Sequence, residues 1–175
     1  REHRTRFLED LKALIRIPSI STLPDHYPDL ERAARWLEQH LTDLGLRTRL
    51  IANNAHPIVY AEWVEAPGRP TLLCYGHYDV QPPDPLDLWE SPPFEPTVRE
   101  ENLYARGASD DKGQLLIQIH AIESWLRTAG RLPVNVKVFI EGDAVILSLM
   151  EHEEAIEHHY SVARMCGIAK RLLGM

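Results

Sequence analysis

The stretch LLCYGHYDV, residues 72–80, gives the clearest indication of the fold of this chain. Its apolar first half is typical of a buried strand, and His77 and Asp79 follow where that strand ends. A second stretch, YARGASDDKG at residues 104–113, has the same form: a strand end, then Asp110, then a helical pattern. Ligands of open α/β sheets bind beyond the carboxyl ends of the strands. The two stretches are therefore predicted to converge on one ligand site.

The residue types at this site indicate a metal ion. His77 and Asp79 are two positions apart, so their side chains point the same way in an extended segment. A carboxylate behind an imidazole fixes the tautomer through one ring nitrogen and leaves the other for a metal, while Asp110 adds hard oxygen ligands. The helix that follows places its N-terminus near Asp110 and Asp111, which favours their ionised form. A single His-x-Asp also occurs as an ordinary surface pair, and the spacing alone leaves both interpretations open.

Apolar periodicity over the rest of the chain predicts an α/β fold. Three segments carry apolar residues at helical spacing, namely 7–15, 30–44 and 112–128. Four longer segments are typical of strands, namely 46–51, 57–64, 72–75 and 134–140, of which the first two form a predicted hairpin and the third a central strand. The expected architecture is a single three-layer domain, with a mixed, mostly parallel sheet and helices on both faces.

Composition argues against several classes of partner. The 19 Lys and Arg residues against 26 Asp and Glu residues give a net charge of −7, which disfavours nucleic acid. No stretch approaches the roughly 20 apolar residues of a membrane span, so no membrane partner is predicted. The two cysteines, Cys74 and Cys166, lie in predicted core positions without metal-binding spacing, which favours a cytoplasmic location. The chain starts at Arg1 without a Met, so it is treated as a possible fragment.

Five of the nine histidines are predicted to have no functional role. His40 falls on or near the solvent face of its predicted helix, and His120 lies in mid-helix, where a packed or exposed side chain is expected. His3, His26 and His56 have no acidic partner at ligand spacing. The predicted metal site is thus confined to the two stretches described above.

The ordered motifs GHYDVQP at residues 76–82, Trp89–Pro93, and RGASDDKG at residues 106–113 resemble a known enzyme family. It is the two-zinc metallopeptidase and amidohydrolase family of carnosinase, aminoacylase, carboxypeptidase G, acetylornithine deacetylase and succinyl-diaminopimelate desuccinylase. The resemblance covers roughly residues 1–142 and is closest to the dipeptidase branch. It implies a zinc-dependent hydrolase of peptide or N-acyl amide bonds, acting on a small peptide or an N-acyl amino acid, with manganese or cobalt as alternative metals.

The resemblance also implies roles for single residues. By it, His77 ligates one zinc and Asp110 bridges two zincs. Asp79 is the catalytic-site aspartate behind His77. A cis peptide bond is implied between Asp110 and Asp111.

The resemblance breaks after Gly142. The family continues as Glu-Gly-x-Glu-Glu, in which the last two glutamates are the general base and a zinc ligand, but Ala144 and Val145 stand at those positions here. The family's later Asp and His ligands and its dimerisation domain have no counterpart. We expect residues 1–142 to be the N-terminal part of a catalytic domain, and residues 143–175 to be a strand remnant and a C-terminal helix, joined across a large internal deletion.

An incomplete site lowers the expected activity. The three predicted site residues are too few for two zinc sites, so one weakly held zinc or none is expected. Hydrolysis is expected to be impaired because the general base is missing. The alternative is a non-catalytic remnant that binds at most one metal or acts through protein contacts. The sequence leaves the particular substrate and the oligomeric state open.

Overall fold

The computed structural model describes residues 3–52 and 56–143 of the chain. Three α-helices are found in these residues: α1 (Arg4–Ile15), α2 (Tyr27–Asp43) and α3 (Lys112–Ala129). α1 ends before Pro18, which has no N–H to continue a helix. Gly45 and Gly130 follow α2 and α3 with positive φ angles of 88° and 68°. The three predicted helices and their stop signals are therefore confirmed.

The strands form a main sheet and a separate hairpin. Their bounds are β1 (Arg47–Ile51), β2 (Ile58–Trp63), β3 (Thr71–His77), β4 (Thr97–Arg99), β5 (Asn102–Tyr104) and β6 (Asn135–Glu141). The main sheet has the order β1-β2-β6-β3, with β1–β2 and β2–β6 antiparallel and β3–β6 parallel. β4 and β5 pair only with each other in the described part. The predicted β1–β2 hairpin, the mixed sheet and the α/β class are confirmed.

One buried apolar cluster joins the helices to the main sheet. It contains Leu14 of α1, Leu37 of α2 and Leu116 of α3. Val136 and Val138 of β6 belong to the same cluster, and alternate residues of a strand point to one face. The three described helices therefore cover one face of the sheet.

Some details of the sheet differ from the prediction in the part of the chain that is described. Only one of its three neighbouring strand pairs is parallel, and β3 lies at an edge rather than in the centre. Leu72 and Tyr75 of β3 are 55% and 52% exposed. An apolar run indicates a strand but does not say which strands lie beside it. The predicted second helical layer is not found in residues 3–52 and 56–143.

The chain beyond Asp143 cannot be compared with its prediction. The expected strand remnant and C-terminal helix, residues 143–175, lie outside the described residues except for Asp143 itself. Within the described ranges, no helix is both long and apolar enough to cross a membrane.

The loop that carries Asp110 also differs from the prediction. β5 ends at Tyr104, and the loop 105–111 separates it from α3, so Asp110 does not lie at a strand end. β6 runs parallel to β3 and ends beside it, with Glu141 paired to His77. The predicted convergence at one edge of the sheet thus comes from the ends of β3 and β6 and from the loop before α3.

Candidate active site

His77 is the last residue of β3, and its imidazole lies between two carboxylates. Its Nδ1 is 3.0 Å from Oδ1 of Asp79, and its Nε2 is 3.2 Å from Oδ1 of Asp110. A hydrogen bond from Nδ1–H to Asp79 leaves Nε2 as the metal-binding nitrogen. The predicted approach of His77 and Asp110 is confirmed, although 33 residues separate them in sequence. We call His77, Asp79 and Asp110 the loop site.

Asp79 is fully buried and is held by the N-terminal segment. The Ser21 hydroxyl donates a hydrogen bond to Asp79 Oδ2 at 2.7 Å, and the Ser19 hydroxyl donates to the backbone carbonyl of Tyr78 at 2.6 Å. These two serines fix the loop after β3 and, with it, the carboxylate that orients His77. Sequence spacing does not reveal this support, because 58 residues separate Ser21 from Asp79.

The peptide bond between Asp110 and Asp111 is cis, as the family resemblance implies. Asp111 precedes the first residue of α3, and its Oδ2 accepts a hydrogen bond from the backbone N–H of His77 at 3.0 Å. Gly76 permits this approach, since a Cβ at that position would stand 2.8 Å from the same oxygen. The Asp110 side chain is 78% exposed. Asp111 therefore fastens α3 to β3, while Asp110 is the carboxylate that a ligand from solvent reaches.

The carboxylates of this region raise the pKa of His77. Burial lowers the pKa of the imidazole, but the hydrogen bond to Asp79 and the charges of Asp79, Asp111 and Asp110 outweigh burial and raise it to about 9. In the metal-free protein the imidazole is therefore protonated at neutral pH. A metal ion at Nε2 must displace that proton.

Asp111 departs from the expectation that the N-terminus of α3 favours its ionised form. Burial is the largest effect and raises the pKa of the Asp111 carboxyl. The backbone N–H and the charge of His77 oppose this rise, and the neighbouring Asp110 adds to it. Burial therefore outweighs the backbone N–H and the charge of His77 at this residue.

Glu141 is a carboxylate of this region to which the sequence analysis gave no role. It is 2% exposed at the end of β6, and it accepts a hydrogen bond from the Tyr75 hydroxyl. Burial raises the pKa of Glu141, the hydrogen bond from Tyr75 lowers it, and the charges of Asp79 and Asp143 raise it again, for a net increase. The hydrogen bond between Tyr75 and Glu141 thus joins the end of β3 to the end of β6.

Lys112 is a second residue whose role the sequence did not reveal. It is the first residue of α3 and is fully buried, and its Nζ donates to the carbonyls of Leu14 at 3.1 Å and Ile17 at 2.6 Å. These carbonyls lie at and just after the C-terminal end of α1, where backbone acceptors lack helical partners. Burial lowers the pKa of Lys112 to about 7. Lys112 therefore anchors the site loop to α1.

The donors of the loop site fit part of a zinc site. An imidazole nitrogen and a carboxylate oxygen 3.2 Å apart can each lie about 2.0–2.2 Å from one zinc ion. No third His, Cys, Asp or Glu completes a mutually close group here among residues 3–52 and 56–143. Ala144 and Val145, which stand where the family has its base and next ligand, lie outside the described residues.

A group of three close ligand side chains does occur elsewhere in the described part. It consists of Asp10 on α1, His40 on α2 and His120 on α3. His40 is half-buried and stacks on Trp36, so the predicted solvent-facing position is wrong. Sequence analysis missed the group because its members come from three helices and share no local motif.

The chain from β3 to β6 carries the signature of a peptidase family. Residues 73–143 match the model of peptidase family M20/M25/M40. The match contains all three residues of the loop site. This part of the chain matches that metallopeptidase family, in agreement with the family predicted from the motifs.

Individual relatives agree with this assignment. A Cys-Gly metallodipeptidase of Candida albicans is 34% identical over 156 residues, covering 81% of this chain and 32% of the relative. A Beta-Ala-His dipeptidase of Rattus norvegicus is 32% identical over 153 residues, covering 80% of this chain and 31% of the relative. The chain therefore spans about a third of the length of these relatives.

Solved structures show the same fold. Human carnosine dipeptidase 1 matches with a TM-score of 0.76 and 32% identity, covering 86% of this chain and 36% of that one. An M20 family metallo-carboxypeptidase from Sulfolobus solfataricus matches with a TM-score of 0.74 and 37% identity, covering 80% of this chain and 31% of that one. Both similarities extend over most of this chain and confirm its α/β class.

Proposed function

We propose that this chain carries the first part of the metal centre of a zinc-dependent, dipeptidase-like hydrolase of peptide or N-acyl amide bonds. The observation that carries the proposal is the placement of His77, whose Nδ1 is held by the buried Asp79 and whose Nε2 faces Asp110. The relatives named as dipeptidases support the reaction class.

Each residue of the loop site has a distinct role in this proposal. His77 and Asp110 hold the metal, and a bound zinc would supply Lewis-acid polarisation of the scissile carbonyl and an activated water. Asp79, itself held by Ser21, keeps Nδ1 of His77 protonated and Nε2 directed at Asp110. The exposure of Asp110 leaves this edge open to substrate from solvent.

We expect the loop site to hold at most one zinc, weakly, with manganese or cobalt as alternatives. Protein zinc sites use three or four protein ligands, and at the loop site only His77 and Asp110 converge as ligands among the described residues. Ala144 and Val145 offer neither a base nor a ligand, because their side chains carry no donor or acceptor atom.

A cavity beside the loop site fits a small substrate. It has a volume of about 610 Å³, and its lining includes Trp89, Arg99 and Ser109, the last of which directly precedes Asp110. This volume lies within the usual range of small-molecule sites. Arg99 supplies a positive charge for a substrate carboxylate, with Glu90 at 3.5 Å as its present partner. The volume of the cavity is compatible with the small peptide or N-acyl amino acid proposed as the substrate.

The proposal is tested by hydrolysis of β-Ala-His and Cys-Gly by the purified chain with added zinc or manganese. We expect turnover about 10²–10⁴-fold below that of a complete relative, because general-base assistance contributes a factor of this size. The residual turnover should depend on the metal and disappear in His77→Ala. Introducing Ala144→Glu and Val145→Glu together should help only slightly, since the predicted alignment places no later family ligand in residues 143–175.

A matched control separates loss of the site from a general effect of removing a histidine. His26 pairs with Asp29 at 2.9 Å outside the loop site, so His26→Ala should keep the residual turnover. Metal-dependent turnover of equal rate in wild-type protein and His77→Ala would contradict the proposal. Turnover comparable to that of a complete relative would contradict the expected impairment.

The location and the assembly of the protein remain predictions. Cys74, in β3, is half-buried, and burial raises the pKa of its thiol. The predicted cytoplasmic location rests on the sequence positions of the two cysteines. The expected lack of a nucleic-acid partner rests on the net charge of −7.

A further inference from the structure

Three helices bring potential metal ligands together away from the loop site. A ring nitrogen of His40, a ring nitrogen of His120 and a carboxylate oxygen of Asp10 all lie within 4.8 Å of one another. The closest measured pair is Nε2 of His120 and Oδ2 of Asp10, at 3.3 Å. We call Asp10, His40 and His120 the helix cluster. His120 lies eight residues beyond the start of α3, which is about 12 Å along the helix axis.

Each imidazole of the helix cluster has one buried ring nitrogen, Nε2, that meets no hydrogen-bond criterion in the described part. Nε2 of His40 and Nε2 of His120 both lack a hydrogen-bond partner and are closed off from solvent. The Asp10 carboxylate lies 3.3 Å from Nε2 of His120, and this contact opposes the effect of burial on the pKa of His120. Buried polar atoms are nearly always paired in folded proteins. A cation bound between the two imidazoles and the carboxylate accounts for both nitrogens.

Aromatic neighbours fix the orientation of both imidazoles. His120 stacks on Phe7 with ring centroids 4.0 Å apart and 13° between the planes. His40 stacks on Trp36 with ring centroids 4.9 Å apart and 12° between the planes. Ligand atoms of a tetrahedral zinc lie about 3.4 Å from each other. Small side-chain rotations within this packing therefore bring the three ligand atoms to metal-binding distance.

The protonation state of the two imidazoles in the helix cluster suits metal binding. Burial lowers the pKa of His40 and of His120, so both imidazoles are neutral at pH 7, the form that binds metal. Arg6 donates to Asp10 at 3.2 Å and also to the buried Glu123 at 2.5 Å. Arg6 thus holds the carboxylate of Asp10 in place, and Arg6 and Arg127 together balance the charges of Asp10 and Glu123.

We propose that Asp10, His40 and His120 bind one divalent transition-metal ion, with zinc as the best-suited metal. Two imidazoles and one carboxylate form a common zinc ligand set, with a fourth position for water. The ion links α1, α2 and α3, so its role is to stabilise the packing of the helices. The site shares no residue with the loop site and does not depend on the proposed hydrolase function.

The test uses the full chain with the loop-site ligands removed by His77→Ala and Asp110→Ala. The chelator-treated double variant is titrated with Zn²⁺ in equilibrium dialysis and with Co²⁺ followed by visible absorption. We expect one ion per chain and a Co²⁺ spectrum with imidazole ligands. Adding His120→Gln, or His40→Gln, should weaken binding by at least about 100-fold, since each removes a ligand. Adding His26→Gln instead is the matched control and should leave binding unchanged.

Thermal unfolding provides a second measurement. Zinc at about 100 times its dissociation constant should raise the Tm of the double variant by about 5–10 °C, and this shift should vanish with Asp10→Asn. Imidazole NMR signals of the unsubstituted protein need no variant and should shift for His40 and His120 on zinc addition. The proposal is overturned if the double variant binds no ion, or if binding persists undiminished in both the His40→Gln and His120→Gln variants.

Discussion

The loop site and the helix cluster use the same ligand types in opposite surroundings. The loop site lies where two loops meet at the edge of the sheet, and its outer carboxylate, Asp110, is 78% exposed. The helix cluster lies between three helices, and its carboxylate, Asp10, is 22% exposed. The first arrangement admits a substrate, while the second is suited to a metal that holds elements together.

The two regions also differ in what controls their histidines. Carboxylates outweigh burial at His77 and raise its pKa to about 9. Burial outweighs carboxylates at His40 and His120 and lowers the pKa of each. A metal must therefore compete with a proton at the loop site but not at the helix cluster at neutral pH. Ligand identity alone does not determine metal-binding behaviour, because the balance of burial and charge sets the protonation state.

The substitution with the largest expected effect, Gly113→Ala, should disrupt the loop site and leave the helix cluster intact. A Cβ at Gly113, in the first turn of α3, would stand 2.0 Å from the backbone oxygen of Ala108. Gly113→Ala should therefore displace the loop before α3 and lower the free energy of unfolding by about 3 kcal/mol or more. Metal binding that needs Asp110 should be lost. Urea denaturation and zinc titration measure the two effects.

Ile117→Ala is the matched control for this change. Ile117 lies on the same helix and is 70% exposed, so its substitution should change the free energy of unfolding by less than about 0.5 kcal/mol. A Gly113→Ala protein as stable as wild type would show that the loop adapts, and the packing argument for its position would then be wrong.

The second prediction tests whether carboxylates control the pKa of His77, in contrast to the histidines of the helix cluster. The raised pKa of His77 contributes stability that is fully present below its unfolded value of 6.5 and is lost as pH rises to about 9. The full shift corresponds to about 3 kcal/mol, and because solvent screens this partly open site the metal-free protein should lose about 2 kcal/mol of its free energy of unfolding across this range. Asp79→Asn should flatten the dependence and weaken zinc at the loop site about 10–100-fold.

Urea denaturation in chelator at several pH values checks this prediction, and NMR titration of His77 reports its pKa directly. The pKa of His77 should fall in Asp79→Asn, because Asp79 provides the main opposition to burial. An unchanged pH dependence in the variant would show that Asp79 does not control His77.

The smallest expected effect comes from Glu123, a buried carboxylate close to the helix cluster. Glu123 is fully buried and bonds to Arg6 and Arg127, both partly exposed. Burial raises the pKa of Glu123, but the two arginines outweigh burial and lower it. Glu123→Gln should lower the free energy of unfolding at pH 7 by about 1–2 kcal/mol, since the arginines retain contact with solvent. Denaturation of both proteins at pH 7 measures the difference.

The pH dependence of this effect has the opposite sign to that of His77. A lowered carboxyl pKa contributes stability above its unfolded value of 4.5, and this stability is lost as pH falls through the folded value. The gap between wild type and Glu123→Gln should therefore close in acid. Glu31→Gln, in an exposed pair with Arg35, is the control and should cost less than about 0.5 kcal/mol. A gap that stays constant below pH 4.5 would contradict the prediction.

Much of the loop site could be predicted from sequence because its chemistry is local. The His-x-Asp spacing placed Asp79 behind His77, and the helical pattern after Asp110 located the start of α3. The supports of the site could not be predicted, since Ser21 and Lys112 act on residues far away in sequence. Hydroxyls and amines have no periodicity that marks the partner they will meet in the folded chain.

The helices, the strands, the β1–β2 hairpin and the family resemblance can be read from the sequence, because periodicity, Gly and Pro stop signals and short motifs are properties of neighbouring residues. The folded chain was needed to show that β3 lies at an edge of the described sheet and that α1, α2 and α3 share one face. It also showed that His40 and His120 meet Asp10. Such contacts depend on how whole elements pack, and no local pattern along the chain encodes that packing.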